Sequence, residues 1–367
     1  MKITSFHAEN YRNMEKVSLS FSPGVNLLYG QNAQGKTNLI EAIYTFARGK
    51  SFRGASDADQ VRFGERGFSI SLSFEEKEYG ETSLTYRYFD GERKRLRGSA
   101  PITLSEMMGK FRAVLFYPEH LDLVKGGPAE RRLFLNIAIS QLDKGYIRAL
   151  SRYEKLRENR NAVLKDGARF GFFDENLLAS YSEAMAEECA TVTLARRAYV
   201  RELAIYASDT QKKLSGGKEE LSLAYRSDAG ECEEREEIKA AYLSLYHAEI
   251  GREVAAGCTL FGIHRDDLLL YINGKEARTF ASQGQQRTAV LSLKMGEGEV
   301  CRERTGEYPV FLLDDVLSEL DSGRRAVLLS GDGEKQIILT SCEGKERLGL
   351  SANEIYVEDG SYDPAHR

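Results

Sequence analysis

Eight residues near the N-terminus, Gly30-Gln31-Asn32-Ala33-Gln34-Gly35-Lys36-Thr37, have the spacing G-x-x-x-x-G-K-[ST]. Glycines at these positions let backbone N–H groups turn inward around phosphate oxygens, and a helix opening at Lys36 adds partial positive charge. Lys36 would reach the β- and γ-phosphates, and the Thr37 hydroxyl would hold Mg²⁺. The flanks have the required form. Val25–Tyr29 is a mostly apolar strand, and 38–46 carries apolar residues at 39, 40, 43, 44 and 46, a helical pattern. The spacing predicts a nucleoside triphosphate site.

Such a site needs an acidic residue at the end of a buried strand, and Pro309-Val310-Phe311-Leu312-Leu313-Asp314-Asp315 provides one. Four successive apolar residues suit a parallel strand covered on both faces. Asp314 would face Mg²⁺ through water. Asp315 is a candidate general base for the attacking water, the alternative being a cap for the next helix.

Two serine–glycine segments compete as a third element that would address a γ-phosphate. Leu214-Ser215-Gly216-Gly217-Lys218 is spelled more like the signature of ABC transporters than Ala281-Ser282-Gln283-Gly284-Gln285. The chemistry reverses that order, because a signature works as a helix N-terminus. Leu214–Lys218 closes a long helix and leads into the alternating 220–225 segment, so its dipole has the wrong sign. Ser282, Gly284 and Gln285 open a helix and are read as the signature.

The elements that must position these residues follow from patterning. Strands predicted at 17–21, 25–29, 69–74 and 83–89 surround one strong helix, with Asp90-Gly91 as a hairpin turn. From about 129 to 246 the texture is helical. Apolar residues from Leu177 to Tyr206 recur at intervals of four and seven, one stripe on a helix of about 40 residues, roughly 60 Å long. A charged helix over 152–165 precedes it, with a turn expected at Gly167–Gly171, and the pair reads as a helical hairpin. Sheet pattern returns with a hairpin, Leu268–Ile272, Asn273-Gly274 and Lys275–Phe280. A helix over 285–304, a strand over 309–313, a helix near 323–329 and a strand over 336–340 complete the chain. An α/β fold is expected, with a phosphate-loop sheet core, an antiparallel β subdomain and an inserted helical domain. The expected division is 1–128, 129–256 and 257–367.

Composition narrows the class. The chain has 367 residues, 51 Lys+Arg against 56 Asp+Glu and 42% hydrophobic residues, which suits a packed globular protein. No apolar run is long enough to span a bilayer, and the N-terminal residues lack the apolar core of a signal peptide, so a cytoplasmic location and no membrane partner are expected. Five well-separated cysteines fit reduced thiols and argue against a CxxC site. The net charge of -5 gives no global attraction to nucleic acid.

Taken together, these residues resemble the RecF family of bacterial recombination-repair ATPases, in the SMC-like branch of ABC ATPases. The resemblance covers essentially the whole chain. It rests on Asn10-Tyr11-Arg12-Asn13, Gly30–Thr37, Gly49-Lys50-Ser51-Phe52-Arg53, Gly262-Ile263-His264-Arg265-Asp266-Asp267, Ser282-Gln283-Gly284-Gln285-Gln286-Arg287 and the run from Leu312 to Asp321. Tyr11 stands where the family commonly has Phe, and Ile263 where it has Pro. Thr340-Ser341 occupies the position of the switch histidine, and no glutamine serves as a lobe-connecting sensor near Phe116-Tyr117-Pro118-Glu119. The resemblance implies an ABC-type ATPase head binding ATP and Mg²⁺, with Arg12 and Asn13 added to the nucleotide-binding residues. It also implies an ATP-driven homodimer in which Gly30–Thr37 of one subunit and Ser282–Gln285 of the other sandwich the nucleotide. Hydrolysis would be weak and serve as a dimerisation switch. Implied partners are single-stranded and gapped or junction DNA and a RecR-type mediator. Implied roles are loading of the RecA recombinase, repair, replication restart and the SOS response.

Three basic clusters could meet DNA phosphates: Arg48, Lys50 and Arg53; Arg93, Lys94, Arg95 and Arg97; and Arg152, Lys155, Arg157 and Arg160. Each could equally be a solvated face. Backbone and shape recognition is the expected mode. A transporter subunit is the main rival, against which the helical insertion counts. Another ABC-class assembly without DNA specificity is the remaining alternative. Long-armed SMC and nuclease-coupled relatives need far longer coiled coils or an appended metal domain.

Overall fold

The computed structural model describes residues 1–367 except 79, 318, 319, 330–332 and 365–367. A hairpin of β1 (Lys2–Tyr11) and β2 (Met14–Ser20) opens the chain, and β3 (Val25–Tyr29) leads through the glycine loop into α1 (Lys36–Arg48). β4 (Gly67–Glu76), β5 (Gly80–Phe89), β6 (Glu92–Arg97) and the short β7 (Ala100–Pro101) extend the hairpin into a six-stranded antiparallel sheet, ordered β2-β1-β4-β5-β6-β7. Phe68, Ile70, Leu72 and Phe74 point to its covered face, and Ser69, Ser71 and Ser73 to the other, the period-two alternation of a half-buried strand. Asp90 and Gly91 both have positive φ, as the two-residue turn between β5 and β6 requires.

After α2 (Leu104–Met107), β8 (Ala113–Phe116) and α3 (Asp122–Lys125), the chain turns helical: α4 (Pro128–Ser140), α5 (Lys144–Phe170) and α6 (Glu175–Leu214). Asp143 and Asp174 cap α5 and α6 through side-chain bonds to backbone N–H groups at 2.7 and 2.9 Å. The 40 residues of α6 bear out the long helix, with Met185, Val192, Tyr199 and Leu203 of the expected stripe buried. At its start, however, Leu178 turns inward and Leu177 is exposed. α5 packs along it as a hairpin. α5 is longer than the charge pattern predicted. Gly167 lies inside it, where a side chain would strike the Phe173 ring, and the helix ends only at Gly171 with φ 75°. β9 (Leu221–Arg226), α7 (Arg235–Ala248) and α8 (Ile250–Ala256) finish this region. β9 pairs with β10 (Asp267–Ile272), which lies past the expected boundary at 256.

The hairpin at Asn273-Gly274 forms, but its second strand, β11 (Lys275–Glu276), is shorter than expected. Residues 277–280 are one helical turn, α9 (Ala277–Phe280), because Ala277 is tucked into the core and its carbonyl accepts the Ala281 N–H at 3.1 Å. Then follow α10 (Gln283–Thr305), β12 (Val310–Leu313), α11 (Ser322–Leu329), β13 (Ile337–Ser341), α12 (Lys345–Leu348), β14 (Asn353–Glu358) and β15 (Ser361–Asp363).

The second six-stranded sheet, ordered β15-β14-β3-β13-β12-β8, is parallel except at β15. It separates two cores. Leu115, Leu312 and Ile338 face α1 and the antiparallel sheet, whereas Val114, Phe311 and Leu339 face α10 and the helical region. The glycine loop lies at the carboxyl ends of β3, β12 and β13, where open parallel sheets place ligands. The Gly262–Asp267 motif fastens the helical region: Asp266 pairs with Arg196 of α6 at 2.6 Å, and Asp267 with Arg131 of α4 at 2.7 Å. All four side chains are nearly fully buried, so removing one partner would leave an uncompensated charge.

Candidate nucleotide site

Gly30–Thr37 leaves β3, loops and enters α1, as its spacing requires. Gly30 has φ 153° and lies so close to the Val357 carbonyl that a Cβ would stand 2.2 Å from its oxygen. Gly35 has φ 117° and abuts the Asn13 amide. Neither position accepts a side chain. The loop is braced from outside: Asn13 donates to the Gln34 carbonyl at 2.9 Å, Tyr362 to the Gly35 carbonyl at 2.8 Å, and the Gly360 N–H to the Gln34 carbonyl at 2.9 Å.

Lys36 is 8% exposed, and its Nζ donates to the carbonyls of Gly30 at 2.6 Å and Gln31 at 2.7 Å. The ammonium thus sits inside the curl of its own loop. Thr37 donates to Asp314 Oδ1 at 3.0 Å, and so does Thr340 at 2.9 Å. Burial pushes the Asp314 carboxyl above the usual carboxylate range, and these two hydroxyls oppose the shift.

Asp315 is exposed, with φ 51° and its N–H bonded to Thr340 Oγ1 at 2.8 Å. Asp is one of the few non-glycine residues that adopt this left-handed backbone readily. At the start of α11 the Arg324 N–H is accepted by the Asp321 carboxylate at 2.9 Å. Ser318 and Glu319 of the same motif lie outside the described residues.

A cleft of about 690 Å³ joins Asn32, Ala33, Gly35, Lys36, Thr37, Asp314 and Asp315. That volume is within the range of small-ligand sites. Gly30, Gln31 and Gln34 complete the loop without lining the cleft. Arg12 and Asn13 do not line it either. Arg12 is held by Glu41 through two bonds, at 2.7 and 2.9 Å, and Asn13 braces the loop from behind. Burial works against the Arg12 charge, but Glu41 outweighs it and raises the guanidinium pKa.

Spacing missed several residues of the cleft. Arg53, grouped in the sequence with possible DNA contacts, lines it and reaches Asn38 at 3.4 Å. Tyr117, Pro118, Glu119 and Thr340 line it too. Cys342, just past β13, donates to Asn32 Oδ1 at 2.9 Å and lies 4.0 Å from Lys36 Nζ. The Gly49–Arg53 motif was the one signal that could have placed Arg53 here.

Ser282, Gly284 and Gln285 lie outside this cleft. Ser282 is exposed and caps α10, accepting the Gln285 N–H at 3.3 Å while the Gln285 side chain accepts the Ser282 N–H at 2.9 Å. Ser215 stands at the other kind of helix end. Gly216 and Gly217 follow α6 with φ 62° and 80°, and the Gly217 N–H returns to the Lys212 carbonyl.

The basic clusters fare unevenly. Arg160 is fully buried against Glu253 at 2.6 Å and cannot meet DNA. Arg152, Arg157 and Arg93 pair with Glu188, Glu154 and Asp57, and Arg95 lies over the Tyr86 ring. Lys50, Lys94, Arg97 and Lys155 remain exposed. Among the described residues, no helix is long and apolar enough to cross a membrane, and no three His, Cys, Asp or Glu side chains gather as a metal site.

Residues 2–347 match the family described as RecF/RecN/SMC N terminal domain. The chain is 38% identical over 367 residues to the DNA replication and repair protein RecF of Geobacillus kaustophilus, covering 98% of this chain and 99% of that one. It is 37% identical to the protein of the same description from Clostridioides difficile, covering 94% and 92%. Among solved structures it is similar to the recombination mediator protein RecF-ATP in the RecFOR pathway, with TM-score 0.92, 34% identity and coverage of 99% and 97%. An SMC head domain from Pyrococcus furiosus shares the fold, with TM-score 0.58 and 18% identity over 99% of this chain and 95% of that one.

Proposed function

Because this chain belongs to the RecF family, whose members here are DNA replication and repair proteins, we propose that it is an ATP-dependent DNA-binding protein of recombinational repair and replication restart. The observation that carries the nucleotide half of this reading is the convergence of Lys36, Thr37, Asp314 and Asp315 on one cleft. A curled backbone loop with an internal ammonium suits a polyphosphate. A threonine hydroxyl bonded to a buried carboxylate is a hard oxygen donor set of the kind Mg²⁺ takes. Thr37 and Asp314 would hold that ion, which neutralises phosphate charge when bound. Asp315, exposed in the cleft, is the residue positioned to accept a proton from water.

Ser282 supports a two-chain site. It caps an exposed helix N-terminus outside its own chain's cleft, so a second copy would have to bring it to the nucleotide. In this reading ATP drives dimerisation, slow hydrolysis reverses it, and the dimer binds gapped or junction DNA with a RecR-type mediator to load recombinase. Affinity for a gapped duplex, measured with and without ATP-Mg²⁺ at fixed salt, tests the coupling. Tighter binding with ATP supports the reading, and equal binding contradicts it.

A further inference from the structure

The two acidic residues after β12 are joined by a single side chain from the neighbouring strand. Thr340 is 2% exposed, and its hydroxyl is used in both senses. It donates to Asp314 Oδ1 at 2.9 Å and accepts the Asp315 N–H at 2.8 Å. Asp315 is the residue with φ 51°, a left-handed conformation that Asp adopts more readily than most non-glycine residues. The Thr340 hydroxyl therefore ties this turned peptide to the carboxylate beside it.

We propose that Thr340 is a positioning residue for hydrolysis, whose hydroxyl fixes the Asp315 backbone relative to Asp314 and so aims the Asp315 carboxylate into the cleft. This rests on the reading of Asp315 as the base. Thr340 lines the same cleft, but its one O–H hydrogen is committed to Asp314 and its oxygen accepts the Asp315 N–H. With no proton left to offer a substrate, it acts on the chemistry through the acidic pair it holds. Thr37 shares Asp314 Oδ1 at 3.0 Å, so Asp314 keeps one hydroxyl partner when Thr340 loses its own. Nucleotide binding and hydrolysis should then separate on substitution.

Thr340→Val keeps the side-chain volume and removes the hydroxyl, whereas Thr340→Ser keeps the hydroxyl and removes the methyl. The full-length variants are compared for ATP affinity with Mg²⁺, for kcat and KM of phosphate release, and for melting temperature. Thr340→Val is expected to bind ATP within about threefold of the parent and to lose at least about tenfold in kcat, the share expected for a misplaced general base. Thr340→Ser is expected to stay within about threefold of the parent in kcat. In the Asp315→Asn background, adding Thr340→Val should change kcat no further, because both act on one group. Hydrolysis that follows volume rather than the hydroxyl, with Val active and Ser impaired, overturns the proposal. A kcat loss in Thr340→Val matched by an equal loss of ATP affinity, or accompanied by unfolding while Thr340→Ser is also inactive, overturns it as well. If Asp315→Asn alone hydrolyses at the parental rate, the reading of Asp315 fails. If Asp315→Asn is inactive and Thr340→Val is not, only the role of Thr340 fails.

Discussion

The Thr37 hydroxyl donates to Asp314 Oδ1 at 3.0 Å although the residues lie 277 positions apart. One opens α1 and the other ends β12, so the contact joins the two outer thirds of the chain across the parallel sheet. The hydroxyl–carboxylate pair proposed to hold Mg²⁺ is therefore brought together by the sheet itself. Burial raises the Asp314 pKa, and a nearby cation would favour its charged form.

Lys36 tests the loop. Lys36→Met removes the ammonium that lies within the loop and should lower ATP affinity at least about tenfold. Lys36→Arg keeps a charge, but the broad guanidinium does not fit the carbonyl pair of Gly30 and Gln31, so binding should survive better than hydrolysis. Titration with a fluorescent ATP analogue checks both. Parental affinity in the methionine variant removes the basis of the nucleotide assignment.

Asp315→Asn should lower hydrolysis by roughly 10²-fold while ATP binding persists, since Asp314 and Thr37 remain. Phosphate release under saturating ATP-Mg²⁺ measures this. A parental rate places the base elsewhere in the cleft.

Arg53 decides between two uses of one cation. Its place in the cleft predicts that Arg53→Ala weakens ATP binding by about threefold to tenfold and leaves nucleotide-free DNA affinity unchanged. The opposite pattern would return Arg53 to the DNA surface.

His264 gives the fold a pH dependence. Its Nε2–H donates to the Thr259 carbonyl at 3.3 Å, which leaves Nδ1 to accept the Tyr153 hydroxyl at 2.5 Å. Burial, with Arg157, Arg265 and Arg132 nearby, lowers its pKa to about 4. The folded state therefore binds fewer protons than the unfolded chain between about 6.5 and 4. This contribution to stability is full above pH 6.5 and is lost as pH falls through 4, at most about 3 kcal/mol from this group. Melting temperatures across that range should fall less steeply in His264→Gln. An unchanged slope would show that other groups, such as the half-buried His120, whose pKa is also lowered, carry the dependence.

Legibility in the sequence followed the chemistry of each element. Gly30–Thr37 and the strand ending before Asp314 could be read directly, because backbone conformation fixes the glycines and burial on both faces makes the strand a continuous apolar run. Helix polarity rather than spelling separated the two serine–glycine segments, and the structure places Ser282 at a helix N-terminus and Ser215 at a helix C-terminus. Arg53 and Arg160 looked alike as charges, yet one faces the cleft and the other is sealed against Glu253, a difference of tertiary burial that local charge cannot encode. The helical turn at Ala277–Phe280 was hidden for a similar reason, since the pull of Ala277 into the core overrides a strand-like pattern. Cys342 and Thr340 enter the site only because β13 lies beside β12 and β3.

The shared site is the central claim, and mass in solution tests it most directly. Light scattering with and without ATP-Mg²⁺ is run on the parent, Ser282→Arg and Ser215→Arg. The account predicts that ATP doubles the mass of the parent and of Ser215→Arg but not of Ser282→Arg, whose own cleft still binds ATP. A Ser282→Arg protein that dimerises with ATP as the parent does, or a parent whose mass ATP leaves unchanged, would contradict it.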